Sequence, residues 1–428
     1  MEESKKPALR FKGFHDDWEQ RKFNVSFDFL QNNALSRAEL SNDGEVMNVH
    51  YGDILVKYGE VLDIAQEELT YLQDSSIMKK YQTSLLRNGD VIIADAAEDE
   101  TVGKCSEIAG LSIETVLSGL HTIPCRPAIK FAEGYLGYYM NSDAYHDQLL
   151  PLIQGTKISS ISKSAIQDTE IVYPKSEKEQ TAISTYFKHL DNLITLHQRK
   201  YESLVNIKKA MLEKMFPKNE EVVPELRFAG FTDTWEQRKL GEIADYKKGP
   251  FGSALKKEIF IPKSENSVKV YEQQNAIGKN WKLERYFITK EYANELKAFE
   301  THGGDILVSC AGTIGEMYEL PDNSEVGVIN QALMRVRVNE KIISKELYKL
   351  LFTNMIDDFS KEHSNGSAMK NIPPFADLKA MNVMLPTLDE QERIGAYFNK
   401  LDHLITLHQR ELEKLQNIKK SCLEKMFI

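Results

Sequence analysis

A 28-residue segment is written twice without a gap: HLDNLITLHQRKYESLVNIKKAMLEKMF from His189 to Phe216 and KLDHLITLHQRELEKLQNIKKSCLEKMF from Lys400 to Phe427, with 20 positions identical. Reading from Ile394, the apolar positions Ile394, Phe398, Leu401, Ile405, His408, Leu412, Leu415, Cys422 and Met426 step mostly by four and three, the a/d seam of a coiled coil. The first copy repeats the register with Ile183, Phe187, Leu190, Ile194, His197, Tyr201, Leu204, Met211 and Met215. Each copy is approached through a proline, Pro174 or Pro386, and an acidic first turn containing glutamine. About 38 residues at ~1.5 Å rise predict a rod of roughly 55 Å. Such a rod does not bury its stripe alone, and its obvious partner is its twin. Antiparallel pairing is expected, because parallel pairing needs the chain to travel back along the rod inside the second domain. It would place the intervening regions at opposite ends of a pseudo-twofold bundle.

A second, shorter repeat opens each half. PALRFKGFHDDWEQRKF from Pro7 and PELRFAGFTDTWEQRKL from Pro224 share 12 of 17 positions. The plan is therefore variable region, conserved helix, variable region, conserved helix. We read a first variable domain over 1–174, a long helix over 175–216, a linker over 217–224, a second variable domain over 225–386 and a second long helix over 387–428. The variable regions read as mixed α/β (α+β). Asp90 to Ala94 and Asp305 to Ser309 follow a Gly as strands leaving a tight turn do, and Val326 to Val338 has period-2 stretches. Ser142 to Gln154 and Ser344 to Glu362 carry helical spacing.

The formal net charge of −10 opposes bulk electrostatic binding of nucleic acid. Residues 1–216 hold 24 cationic against 32 acidic side chains, and 217–428 hold 30 against 32. Any DNA contact must then use local patches, with a basic partner supplying much of the phosphate grip. Cys105, Cys125, Cys310 and Cys422 are scattered, with no C-x-x-C pair, so neither disulfide nor metal is expected. No apolar leader and no run of 18 apolar residues occur, which predicts a cytoplasmic protein.

Two variable domains alternating with two near-identical helices, each domain announced by P-x-L-R-F-x-G-F-x-D-x-W, closely resemble the specificity subunit of Type I restriction-modification systems. The likeness extends to the P-T-L-D-E-Q stretch from Pro386 to Gln391. The first copy departs there, reading Pro174-Lys-Ser-Glu-Lys-Glu-Gln180 with one extra residue. The resemblance implies that each variable domain is a target recognition domain for half of a bipartite double-stranded DNA site, the helices setting the gap. It implies two modification subunits that bind S-adenosylmethionine and methylate adenine N6. It also implies two restriction subunits that use ATP and Mg, leaving this chain with no cofactor and no activity of its own. Two readers on a rigid rod suit half-sites a DNA turn or more apart.

Catalytic signatures point the same way. Asn371-Ile-Pro-Pro-Phe375 lacks the adjacent Asn-Pro with which amino-methyltransferases hold a flipped adenine, and there is no G-x-x-x-x-G-K-[ST] loop. Asp389 to Glu392 is an acidic helix start favoured by the dipole. For DNA contact, the second domain offers Lys247, Lys248, Lys256 and Lys257 bracketing a Gly/Pro loop suited to phosphate, and Asn330 and Gln331 as readers of adenine edges. Asn365 and Lys370 lie in a second polar loop. The first domain offers Lys79, Lys80 and Arg87, with Lys157 at the place of the second polar loop. His197 and His408 share one seam position and are expected to pin helix register. Phe14 and Trp18, with Phe231 and Trp235, sit in the phrase that is nearly invariant within the chain rather than in dissimilar sequence. Their expected role is to clasp each domain to the helices or to a modification subunit. The alternative is a non-enzymatic scaffold presenting two protein- or glycan-binding modules on a coiled coil, which the net acidity favours.

Overall fold

The two repeated segments fold as the long helices Glu177–Lys214 and Leu388–Met426 in a computed structural model that describes residues 6–155, 157–218, 221–362, 372 and 374–428. The chain divides into two compact units, Met1–Lys200 with His408–Ile428, and Tyr201–Leu407. Each unit contains a stretch of both long helices, and in each the stretches run antiparallel. In the first unit Tyr186 meets Cys422, Asp191 meets Lys419 and His197 meets His408. In the second, Lys208 meets Asp402. The seam residues Ile183, Phe187, Leu190, Leu204, Ile394, Phe398 and Leu401 are buried, as the a/d spacing requires. Fully burying such a side chain contributes about 1.5–3 kcal/mol.

The motif that precedes each helix explains its own repetition. Gln180 and Gln391 turn their side-chain amides back to the carbonyls of Pro174 and Pro386. The same two side chains accept the N–H of Ala132 and of Ser344, tying each helix start to its own domain. The neighbouring carboxylates, Glu179 and Glu390, are buried and paired with Arg10 and Arg227 of the opening phrases. The strand that follows each opening, Glu19–Lys22 or Glu236–Lys239, pairs antiparallel with the strand just before the helix, Glu170–Tyr173 or Asn382–Leu385.

The variable regions, faintly alike in sequence, share a topology. In the first unit, Phe27–Phe29, Thr122–Pro127, Val91–Ala94, Cys105–Ala109 and Val61–Asp63 form a five-stranded sheet in that order. In the second, Ala244–Lys248, Leu333–Val338, Ile306–Ser309 and Met317–Glu319 follow the same path. Each unit adds a four-stranded mixed sheet containing one parallel pair, Val46–Val49 with Thr115–Ser118 at the edge in the first unit, and Ser267–Tyr271 with Gly327–Ile329 at the centre in the second. The strands after Gly89 and Gly304 leave turns with positive φ, 88° and 82°, where a side chain would be strained. In both, the aspartate just after the glycine holds an arginine of the neighbouring strand, Asp90 with Arg126 and Asp305 with Arg337, each at 2.7 Å.

The helix expected over Ser142 to Gln154 is shorter than its spacing suggested. It ends at His146, and Leu150–Leu152 forms a 3-10 turn instead. Pro151 is the reason, since it offers no N–H and disfavours the α conformation of the residue before it. The helix expected from Ser344 to Glu362 spans Lys345–Glu362. All four cysteines are free and buried.

Candidate nucleic-acid interface

In the second unit the strand Ala244–Lys248 ends at Gly249, whose N–H donates to the Leu333 carbonyl at 2.9 Å. A Cβ at Gly249 would lie 1.8 Å from the Asn330 carbonyl oxygen, so only glycine lets the loop close against the turn at Asn330 and Gln331. Asn330 is half-buried, and its side-chain carbonyl accepts the Ala332 N–H at 3.1 Å, which holds the turn that presents Gln331 to solvent. A cleft of about 580 Å³ opens between these segments. Lys247, Lys248, Phe251, Gln331, Phe375 and Lys379 help line it. Lys247 lies 5.0 Å from the Phe299 ring centroid and Lys379 lies 5.7 Å from that of Phe375, contacts that steady both ammonium groups. Among the described residues no carboxylate pairs with Lys247, Lys248, Lys256, Lys257 or Lys379, whereas glutamates engage Lys263, Lys279, Lys345 and Lys349 elsewhere in the unit. The cleft is thus a local basic surface on an acidic chain.

Lys247, Lys248 and Gln331, chosen from sequence, are brought together here. Lys256 and Lys257 are exposed on the same loop where it re-enters the fold. Asn365, Lys370 and Asn371 lie outside the described residues.

In the first unit the chosen residues do not converge. Lys79 and Lys80 end the exposed 3-10 turn Ser75–Lys80, with Lys80 over the Tyr81 ring at 5.4 Å. Arg87 lines a different cleft, beside Asp90, Glu107, Arg126 and Lys130, where carboxylates offset the cations. Lys157 is exposed just beyond Gly155. The counterpart of the second unit's cleft lies elsewhere, at Gln31, Asn32, Asp95, His121 and Lys163. The matching hydrogen bonds identify it: the Cys310 N–H donates to Ala332 in one unit, and the Asp95 N–H to His121 in the other.

At that place Asn33 is buried, donating from its amide to Ser118 and Asn48, and the Asn32 amide donates to the Gly119 carbonyl. His121 adopts positive φ and sets its Nδ1 3.2 Å from Asp95. Burial raises the Asp95 pKa above the usual carboxylate value, with His121 and Lys163 acting in the other direction. Lys163 donates to the Leu30 carbonyl and lies 5.9 Å from the Phe29 ring centroid. No cluster of cations marks this surface, which carries amides, one histidine, and a single lysine beside an aspartate. Aligning the doubled openings at their offset of 217 residues places Gln31 to Ala34 opposite Lys248 to Phe251, which is the signal that finds it.

The aromatics of the opening phrases face the long helices. Trp18 is buried, with its ring 6.4 Å from Phe427 and its indole N–H donating to Glu179 at 3.3 Å. Trp235 is buried against Phe216 at 5.8 Å. Phe14 and Phe231 are half-buried, and Phe231 lies under the Arg393 guanidinium at 5.2 Å. His197 and His408 place their Nδ1 atoms 3.2 Å apart, so that one ring must donate while the other accepts. Desolvation, with His197 and Lys200 nearby, lowers the His408 pKa. Among the described residues no cluster of His, Cys, Asp or Glu is arranged to hold a metal ion, and no helix is long and apolar enough to cross a membrane.

A family described as Type I restriction modification DNA specificity domain matches the chain twice, over residues 16–206 and 232–417. The chain is similar to the provisionally named type I restriction enzyme MjaX specificity subunit of Methanocaldococcus jannaschii. The identity is 23% over 423 residues, covering 95% of this chain and 92% of that protein. It is also similar to the type I restriction enzyme MjaVIII specificity subunit of the same organism, at 27% identity over 281 residues, covering 63% and 64%. Among solved structures, the S subunit of a Type-I restriction-modification system from M. genitalium shares the fold at a TM-score of 0.60 and 14% identity, covering 99% of each chain. The double match to a DNA specificity domain decides against the scaffold alternative.

Proposed function

The chain belongs to the family of Type I restriction-modification specificity subunits, and from that premise we propose which surfaces read DNA and what assembles around them. As a member it is a non-catalytic subunit with two recognition domains. We assign those domains to 1–174 and 225–386, with long helices over 175–216 and 387–428 joined through 217–224. In the second domain the cleft between Lys247, Lys248 and Gln331 meets one half-site, with Lys256 and Lys257 on phosphate. In the first, the counterpart at Gln31, Asn32 and His121 meets the other, and Lys79, Lys80, Arg87 and Lys157 serve as outlying phosphate contacts.

The observation that carries this reading is one place in the fold, built by matching strands and hydrogen bonds in both units, filled with different side chains. A conserved mount with variable contents suits two readers of different sequences. Amides suit adenine edges and lysines suit phosphate or guanine. Discriminating a few base pairs per domain at ~1–3 kcal/mol each gives two domains together a selectivity that one lacks.

The assembly we propose contains two modification subunits, which bind S-adenosylmethionine and methylate adenine, and two restriction subunits, which use ATP and Mg. It acts in the cytoplasm, and this chain binds none of those cofactors. Methylome sequencing tests the reading. Deleting the gene should erase one bipartite N6-methyladenine motif, and an unchanged methylome in a strain with active modification subunits would refute it.

A further inference from the structure

Phe251 stands at the tip of the second domain's cleft loop and is 90% exposed as a residue. Its surroundings are ordered around it. Gly249 is pinned to Leu333, Pro250 is buried, and the Phe251 carbonyl accepts the Ala254 N–H at 2.8 Å. The fold therefore holds a phenyl ring out into water on a short, braced loop, where leaving it exposed gains nothing for stability. The ring is flanked in sequence by Lys247 and Lys248 on one side and Lys256 and Lys257 on the other, and it lines the cleft with Lys379 and Gln331. None of these lysines has a carboxylate partner among the described residues.

We propose that Phe251 is a base-step wedge: on binding duplex DNA, its ring inserts between two stacked bases of the second half-site while the surrounding lysines hold the phosphates. Apolar rings on basic surfaces are used in this way to unstack and kink a step, and pyrimidine-purine steps yield most readily. The wedge would thus add sequence preference at a step that no hydrogen bond reads. The lysines around the ring call for an anionic occupant, and the phosphates of the half-site proposed above supply that charge on both sides of a base step. In the first domain the aligned position is Ala34, so the distortion is confined to one half-site.

The inference rests on the DNA-reading function proposed above, and the test separates the two. The full chain is assembled with its modification subunits and bound to duplexes carrying 2-aminopurine at successive positions of both half-sites. Away from the two adenines that the modification subunits flip, fluorescence with the wild type should rise at one step of the second half-site only. Phe251→Ala should abolish that rise and weaken binding roughly 5- to 100-fold, while Phe251→Trp should keep it. Because the ring is exposed, neither substitution removes a core contact. Equal fluorescence for wild type and Phe251→Ala, with normal DNA binding, overturns the wedge and leaves the reading function standing. Loss of assembly in Phe251→Ala assigns the ring to a protein partner and also overturns it. Absence of wild-type binding to the methylated motif overturns both.

Discussion

Glu107 shows at the scale of one residue how burial and hydrogen bonding compete. Its carboxylate accepts the N–H groups of Gly134 at 2.7 Å and Gly137 at 2.9 Å, at the start of the helix Tyr135–Met140. Gly137 has no room for a side chain there, since a Cβ would lie 2.0 Å from the Glu60 carbonyl oxygen. Burial raises the Glu107 pKa to about 7, against the opposite pull of those N–H bonds. A carboxyl whose pKa is higher folded than unfolded favours the native state while protonated. Its contribution is present below about 4.5 and is lost as pH rises to about 7. Denaturant unfolding of the full chain should show that decline across this window, and Glu107→Gln should flatten it while removing one backbone hydrogen bond. Sequence does not disclose such a residue. All five positions of its strand, Cys105–Ala109, are buried, so the alternation that marks an outward carboxylate is missing.

The clasp between opening phrase and helix is the clearest logic at the scale of elements. Arg227 grips Glu390 through two hydrogen bonds of 2.7 Å, and the carboxylate side chain is 1% exposed. Removing one partner strands a buried charge, so Arg227→Ala should destabilise the second unit by about 3–5 kcal/mol. Arg227→Lys should recover only part of that, because an ammonium does not reproduce the guanidinium fork. Chemical denaturation followed by Trp235 fluorescence measures both. Arg10 and Glu179 repeat the arrangement in the first unit. The long helices were legible because a sustained heptad seam has few alternative explanations, and the doubled phrases were visible by simple identity. Their purpose was not legible. An arginine in a charged phrase looks like a surface residue until the fold brings Glu390, 163 positions away in the chain, against it. The helical spacing over Ser142 to Gln154 overstates the helix, which stops at His146 because Pro151 interrupts it.

For the whole molecule, net charge and local charge have opposite implications. A chain with formal charge −10 repels phosphate at long range, yet its second unit gathers around one loop and cleft five lysines that no carboxylate engages among the described residues. If each meets a phosphate, the isolated chain should show a log affinity to log salt slope of at most about −4.5. If modification subunits supply further phosphate contacts, as proposed, their addition should steepen it, and titrations at several salt concentrations distinguish the two contributions. Sequence by itself determined the doubled plan, the antiparallel helices and the family resemblance, since repetition and periodicity are properties of the chain that survive any detail of packing. It also brought Lys247, Lys248 and Gln331 forward, because they stand in turns marked by Gly, Pro and Asn. Tertiary structure alone decided that these three share a cleft, that Asp95 and His121 join Gln31 in the first unit's counterpart, and that the repeated Arg10 and Arg227 serve the frame. Those facts depend on strand pairing across long stretches of chain, and pairing is set by summed burial over whole sheets, which no local pattern encodes.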